Sequence, residues 1–399
     1  MMVSFLKRYI VPLLVSVGLV VAIDLLTNTV TKELLFDSKI YIGMAEHGLT
    51  RDRISPFAYR FAGPFLAGEI QRSTDRTMYE SFKLLTYAGA VSQLFLVFLL
   101  VRQLARSEKS AYVGMLVVAF SLFNIKYPLF DVYRPDILAY PIILIGTWFA
   151  LKDRFFLLLL TTMAGLQFRE FTIVPLIAYL AVKIQHYPRK EWIDKAVLSI
   201  LAMLAAIAIP RLLIPVQGHH DAVELSRNGF EQALDILVMW PRNLNIVFIV
   251  LAYFLPALIL YSAPRLRAGL EEVPAEIVHY FIHYSWAVLL LLILGGTDLG
   301  RFASYFFLPL ALLTGFLVKD HSSFKILLVL MIQFVFNRIW LPFPVQDVMA
   351  LTNFYSGWYD VINTASIWRF AELAVWMILG RILVHARLFS RQEVLAGSK

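Results

Sequence analysis

Apolar segments long enough to form membrane helices recur along the whole chain, and this pattern constrains the fold more than any other feature. Apolar residues make up 59% of the chain and charged residues only 16%, whereas a soluble domain carries about 25% charged residues. The sequence therefore predicts an all-α polytopic membrane protein, with a single transmembrane domain over residues 1–399 and no separate soluble domain. The chain has no cysteine, which excludes disulfide bonds and thiol catalysis.

We predict about twelve transmembrane helices, within a range of about 10 to 13. The predicted spans are 9–28, 82–101, 111–127, 136–151, 155–168, 171–183, 196–215, 243–262, 278–297, 301–318, 323–341 and 366–386. The segment 155–183 could instead form one long helix with Arg169 and Glu170 inside it. The two interpretations differ in where they place every later loop.

The distribution of positive charge distinguishes these interpretations. Lys7 and Arg8 precede the first span, which favours a cytoplasmic N-terminus because cytoplasmic loops carry an excess of lysine and arginine. With two helices over 155–183, the later basic loops and the C-terminus also fall on the cytoplasmic side. With one helix, all of them move outside. We therefore predict two helices with Arg169 and Glu170 at an outer turn; a buried ion pair within one span is the alternative.

The first outer loop, residues 29–81, mixes charged and aromatic side chains between Asp37 and Arg72. This composition is typical of helices that lie in the membrane surface. Asp37 follows the first span closely, and a carboxylate there could accept a proton from an acceptor hydroxyl. Asp37 could equally cap the helix that follows. Arg60 lies between aromatic residues and could bind a phosphate or anchor the loop at headgroup depth.

Two further outer segments carry candidate polar residues. Asp131 and Asp136 could hold a divalent cation or orient a sugar, although Arg134 could pair with Asp131 instead. Arg301 begins a late span after Asp298, and glycines at 295, 296 and 300 allow close backbone approach there. Arg301 could therefore bind a lipid phosphate, or pair with Asp298.

Taken together, these residues resemble the GT-C superfamily of integral-membrane glycosyltransferases, in particular poorly characterised bacterial members. The shared features are an acid soon after the first span, a proline-aromatic-tyrosine-arginine stretch, and charged turns on the outer side. The residues that carry the resemblance are Asp37 with Tyr41 and Ala45, Arg60 with Pro64, Arg134-Pro135-Asp136, Arg169-Glu170, and Asp298 with Gly300-Arg301.

The resemblance implies transfer of a sugar from a polyprenyl-phosphate donor to a glycan or lipid acceptor hydroxyl, on the non-cytoplasmic face of a bacterial inner membrane. It makes Asp37 the general base, with no cofactor beyond the divalent cation considered above. The candidate substrate-binding residues are Arg301, Arg60, Tyr41, Asp131, Arg134, Asp136, Arg169, Glu170 and Asp298. The net charge of +8 lies mostly in short loops and tails, so we expect membrane lipids and no nucleic acid as partners. The alternatives are a secondary transporter and an O-antigen polymerase or ligase type enzyme.

Overall fold

The computed structural model describes residues 6–27, 36–48, 54–55, 57–214, 218–219, 240–294, 299–319, 321–342 and 364–385. Its regular structure within these ranges is helical, apart from a pair of two-residue parallel strands, β1 (Ile54–Ser55) and β2 (Gly218–His219). The helices are α1 (Val11–Thr27), α2 (Phe36–His47), α3 (Ala62–Ser73), α4 (Met78–Ala105), α5 (Glu108–Ala119), α6 (Tyr127–Phe130), α7 (Asp136–Leu151), α8 (Phe155–Gly165), α9 (Val174–His186), α10 (Arg189–Leu213), α11 (Trp240–Tyr253), α12 (Leu255–Leu260), α13 (Ala263–Glu271), α14 (Ala275–Leu294), α15 (Leu299–Ala303), α16 (Phe307–Leu317), α17 (Ser323–Phe336) and α18 (Thr364–His385). Short 3-10 or π-helical turns lie at Leu6–Ile10, Phe57–Tyr59, Leu122–Lys126, Glu170–Ile173 and Ser304–Phe306.

Five helical segments among the described residues are long and apolar enough to cross a membrane, which is consistent with an integral membrane protein. They are Arg8–Thr27, Met78–Ala105, Arg189–Leu213, Ala275–Leu294 and Leu299–Leu317. A sixth is reached if Glu108–Ala119 and Leu122–Phe130, which meet at a bend of 66°, form one broken span. Every predicted span overlaps a helix. Five or six of the described segments are long and apolar enough to cross a membrane, so twelve crossings remain a prediction.

Helix α4 is central, because it packs against α1, α5, α7 and α16. Its start is fixed by a reciprocal cap: Glu80 N donates to Thr77 Oγ1 at 3.2 Å, and Thr77 N donates to Glu80 Oε2 at 2.8 Å. Gly89 lets α7 approach closely, since a Cβ there would lie 2.8 Å from the carbonyl oxygen of Ile137. The first turn of α7, which begins with Asp136, is thereby held against the centre of the bundle.

The described parts of the segments predicted to lie on the outer side of the membrane meet at one end of the bundle, called here the site end. The paired strands join the loop before α3 to the segment after α10. Ala62 N donates to the Gln167 carbonyl at 3.2 Å, which ties α3 to the turn after α8. Ser38 Oγ donates to Asp131 Oδ1 at 2.8 Å and so connects α2 to the segment before α7.

The predicted cytoplasmic loops contact one another at a different end of the bundle, called here the basic-loop end. Arg102 Nη1 donates to the Arg8 carbonyl at 2.8 Å, and Lys319 Nζ lies 2.8 Å from Glu272 Oε2. These contacts agree with the alternation of loops that the charge pattern predicts. Which end faces the cytoplasm stays a prediction.

Candidate functional site

The turn between α8 and α9 directs one arginine into the protein. After α8 ends at Gly165, Arg169 N donates to the Gly165 carbonyl at 3.0 Å, and a 3-10 turn begins at Glu170. The chain therefore forms two helices over 155–183, as the charge pattern predicts, and the single long helix is wrong. Arg169 has 1% of its side chain exposed, whereas Glu170 has 52% exposed. The two neighbouring charges thus occupy different environments.

Asp136 is the centre of a buried cluster of charges at the site end. Its Oδ1 lies 2.9 Å from Nε of Arg169, and its Oδ2 lies 3.5 Å from Nε of Arg301. All three side chains are buried. Three candidates from separate parts of the sequence therefore meet at one point.

Arg60 connects this cluster to the first outer loop. Its Nη2 lies 2.9 Å from Oε1 of Glu170, and its guanidinium carbon lies 5.9 Å from the centre of the Phe57 ring. Tyr41 packs edge-on against Phe57 with ring centres 5.8 Å apart, and its phenol lies close to the Arg60 guanidinium. The contacts thus run from α2 through Arg60 and Glu170 towards Arg169.

Asp131 and Arg134 form a second charge pair beside this cluster. Arg134 Nε contacts Asp131 Oδ2, and Ser38 donates to the other carboxylate oxygen, Oδ1. Thr86 Oγ1 of α4 donates to the Val132 carbonyl at 3.0 Å and fixes the backbone between the pair. Asp131 is therefore paired with Arg134, the alternative to a metal ligand that the sequence left open.

Aromatic rings support the buried charges. Tyr305 donates from its hydroxyl to Asp136 Oδ1 at 3.2 Å, and its ring stacks on Phe171 with centres 4.1 Å apart. The Arg169 guanidinium lies 5.8 Å from the centre of the Phe302 ring. Sequence reasoning missed Tyr305, although its spacing of four residues from Arg301 would place both on one helical face.

A glycine next to Arg301 permits close packing. A Cβ at Gly300 would lie 2.3 Å from Cζ of the Phe123 ring, so a larger residue there requires this ring to shift. This agrees with the close approach predicted at 300. Positions 295 and 296 lie outside the described residues.

Among the described residues, the charged part of the site contains three arginines and two carboxylates. Arg60 and Arg169 contact Glu170, and Arg169 and Arg301 contact Asp136. Partial desolvation opposes ionisation of the half-exposed Glu170, but Arg60 and Arg169 lower its pKa to about 2. Glu170 therefore keeps its negative charge at neutral pH.

One buried donor of the cluster could bind a further acceptor. Nη1 of Arg169 is buried and has no hydrogen-bond partner among the described residues. Leaving a buried charged donor unsatisfied is costly, because the group has lost its water without replacement. An oxygen of a bound anion would satisfy this donor.

Two predicted site residues cannot be placed. Asp298 lies outside the described residues, and so does the side chain of Asp37, whose backbone is in the first turn of α2. The backbone register puts position 37 one helical turn before Tyr41. Among the described residues, no group of three histidine or acidic side chains could hold a metal ion. Asp131 and Asp136 each contact arginine.

No protein-family model and no curated protein matches this chain.

Proposed function

We propose that the protein is a GT-C-like glycosyltransferase that uses a polyprenyl-phosphate-linked sugar at the site end, on the non-cytoplasmic face of the membrane. The observation that carries this proposal is the buried arginine cluster around Asp136, in which Nη1 of Arg169 has no hydrogen-bond partner among the described residues. A phosphate oxygen can accept from guanidinium groups in a fixed, two-pronged geometry. The carrier phosphate supplies such oxygens.

The position of Asp37 fits the role of general base. Helix α2 is anchored at two points in its first turns: Ser38 donates to Asp131, and Tyr41 packs on Phe57 close to Arg60. Position 37 thus lies at the start of a helix that is fixed to the arginine cluster. A carboxylate there would be near a phosphate held by Arg60, Arg169 or Arg301.

The proposed reaction has two linked changes. The carboxylate of Asp37 takes a proton from the acceptor hydroxyl, and the hydroxyl oxygen bonds to the anomeric carbon. The bond from that carbon to the phosphate oxygen breaks, and polyprenyl phosphate leaves with the electron pair. The phosphate gains negative charge as the bond breaks, so arginines fixed beforehand stabilise the transition state more than the bound substrate.

A comparison of lipid-linked sugars tests this function. In a deletion strain we expect one polyprenyl-linked sugar to accumulate, as measured by mass spectrometry of extracted lipids. Wild-type protein should restore the normal level, whereas Asp37→Asn and Arg301→Ala should not. Restoration by both variants, or no accumulating lipid in the deletion strain, contradicts the proposal and favours the transporter.

A further inference from the structure

An open groove lies at the basic-loop end, away from the Asp136 cluster. It has a volume of about 980 Å³ and is formed by the turn before α1, the end of α4, the start of α5 and the end of α7. Four cationic side chains line it, and Glu108 is its one acidic residue. The cations are Arg8, Arg102, Arg106 and Lys152. We call this the basic groove.

Aromatic rings contact three of these four cations. The guanidinium carbons of Arg8 and Arg102 lie 5.5 Å and 5.6 Å from the centre of the Tyr9 ring. Lys152 Nζ lies 6.0 Å from the centre of the Trp148 ring. Such contacts fix a cation while leaving its N–H groups able to donate elsewhere. The groove is therefore a partly ordered set of donors.

Helix ends alone do not explain the groove. Arg106 and Lys152 directly follow the last residues of α4 and α7, where cations are favourable because they complement the helix dipole. The helix dipole accounts for Arg106 and for Lys152, each taken alone. It does not account for four cations lining one cavity of this size, where an anion between them would offset their mutual repulsion.

We infer that the basic groove binds a phosphate-bearing anion, and that this anion is the headgroup of an acidic phospholipid. Ile145 and Trp148 on α7 and Val11 on α1 are exposed apolar residues next to the groove. Acyl chains can lie against this surface while the headgroup phosphate lies among the cations. A soluble phosphate compound would use the cations but not the apolar surface.

The test compares phosphatidylglycerol, phosphatidylcholine and glycerol 3-phosphate as probes for the full-length protein in neutral detergent. Titration followed by native mass spectrometry measures binding of each. We expect phosphatidylglycerol to bind more tightly than phosphatidylcholine, and glycerol 3-phosphate to compete weakly. Competition by glycerol 3-phosphate at equal affinity would assign the groove to a soluble phosphate compound and overturn the lipid assignment.

Matched double variants locate the binding. Arg106→Gln with Lys152→Gln should weaken phosphatidylglycerol binding roughly 30-fold, at about 1 kcal/mol for each cation near an anionic surface. Arg189→Gln with Lys190→Gln removes the same charge from exposed positions outside the groove and should change binding by less than about threefold. Arg106→Lys with Lys152→Arg keeps the charge and should retain binding.

Two results would overturn the inference. Equal binding of phosphatidylglycerol and phosphatidylcholine would show that the groove does not select an anion. Equal losses in the two glutamine variants would show that only overall charge matters. Circular dichroism checks that each variant keeps its helicity, and the charge-keeping variant serves as the reference if the glutamine variant unfolds. The readout is lipid binding, so it does not depend on sugar transfer.

Discussion

Arg301 and Asp136, which lie far apart in the sequence, form a buried ion pair, with Nε of the arginine 3.5 Å from Oδ2 of the aspartate. The sequence suggested Asp298 as the acidic partner of Arg301. The structure shows Asp136 in contact with Arg301, and Asp136 also pairs with Arg169. One carboxylate therefore contacts two buried guanidinium groups.

The first prediction concerns stability. Asp136→Asn removes the carboxylate between two buried arginines and should lower the free energy of unfolding by about 3–5 kcal/mol. Asp75→Asn, at an exposed position, should change it by less than about 0.5 kcal/mol. Thermal unfolding in detergent, followed by circular dichroism, measures both. Equal stability of the two variants would mean that the cluster is not held by Asp136.

The second prediction concerns donor handling. Arg301→Ala should lower kcat/KM for the polyprenyl-phosphate donor roughly 10–200-fold, because it removes charge-assisted hydrogen bonds to the phosphate. Arg301→Lys should be impaired less, since it keeps the charge but loses the planar fork. Arg76→Ala, in an exposed loop, is the matched control. Unchanged donor kinetics with reduced thermal stability would assign Arg301 a purely structural role.

The third prediction concerns the general base. Asp37→Asn should lower the rate of transfer by roughly 10²–10⁴-fold while helicity and donor binding persist, because the amide cannot accept the proton. Asp75→Asn, in the same loop, should keep its activity. Steady-state rates with a lipid-linked donor measure both. A loss of less than about tenfold would indicate that Asp37 only caps α2.

The fourth prediction concerns topology, which the absence of cysteine makes simple to test. Ser73→Cys, exposed at the end of α3, should react with a membrane-impermeant thiol reagent in intact cells. Lys190→Cys, exposed at the start of α10, should react only after the membrane is opened. Ser38, in the same outer loop, is a poor position for a labelled cysteine because its side chain is buried and donates to Asp131. The opposite labelling pattern would place the site end in the cytoplasm.

The fifth prediction concerns pH. His321 lies at the basic-loop end, and burial, followed by Arg265 and Lys325, lowers its pKa to about 4. Nη1 of Arg265 donates to Nε2 of His321 at 2.5 Å. Smaller contributions from His385 and Lys109 also lower the pKa of His321. Between about pH 6.5 and 4 the unfolded chain binds a proton that the folded chain does not. The free energy of unfolding should therefore fall as pH drops through this window.

His321→Asn tests this assignment. The variant should lose part of the dependence of unfolding temperature on pH between about 6.5 and 4. His47→Asn, which removes an exposed histidine at the site end, should keep the dependence seen in wild type. An unchanged slope for His321→Asn would show that other groups cause the effect.

The positions of the helices could be predicted because each depends on a local run of apolar residues. The break at Arg169 could be predicted because the charges of the later loops require it. The 66° bend between Glu108–Ala119 and Leu122–Phe130 could not be predicted, since the apolar run continues through it. The contact of Arg301 with Asp136 was also not predicted, because pairing of distant helices depends on packing that no local pattern records. Asp298, the partner that the sequence suggested, lies outside the described residues.

Several members of the site were found singly but not as a group. Arg60, Arg169 and Arg301 were each singled out by their position at a loop or turn. Tyr305 was missed because it looks like one more aromatic residue in an apolar helix, and Ser38 because a serine beside Asp37 carries no signal of its own. Their roles follow from contacts with Asp136 and Asp131.

The central position of α4 has a consequence for biosynthesis. Helices α1, α5 and α7 are close to α4 in the sequence and are synthesised shortly before or after it, so they can pack against α4 as they insert. Helix α16, which also packs against α4, is synthesised much later, as is Arg301 just before it. Until they arrive, one face of α4 lies against lipid or an insertase, and Asp136 has only one of its two arginines. Ribosome-bound chains that stop before α15 would therefore carry an incomplete charge cluster, which a membrane protease could recognise.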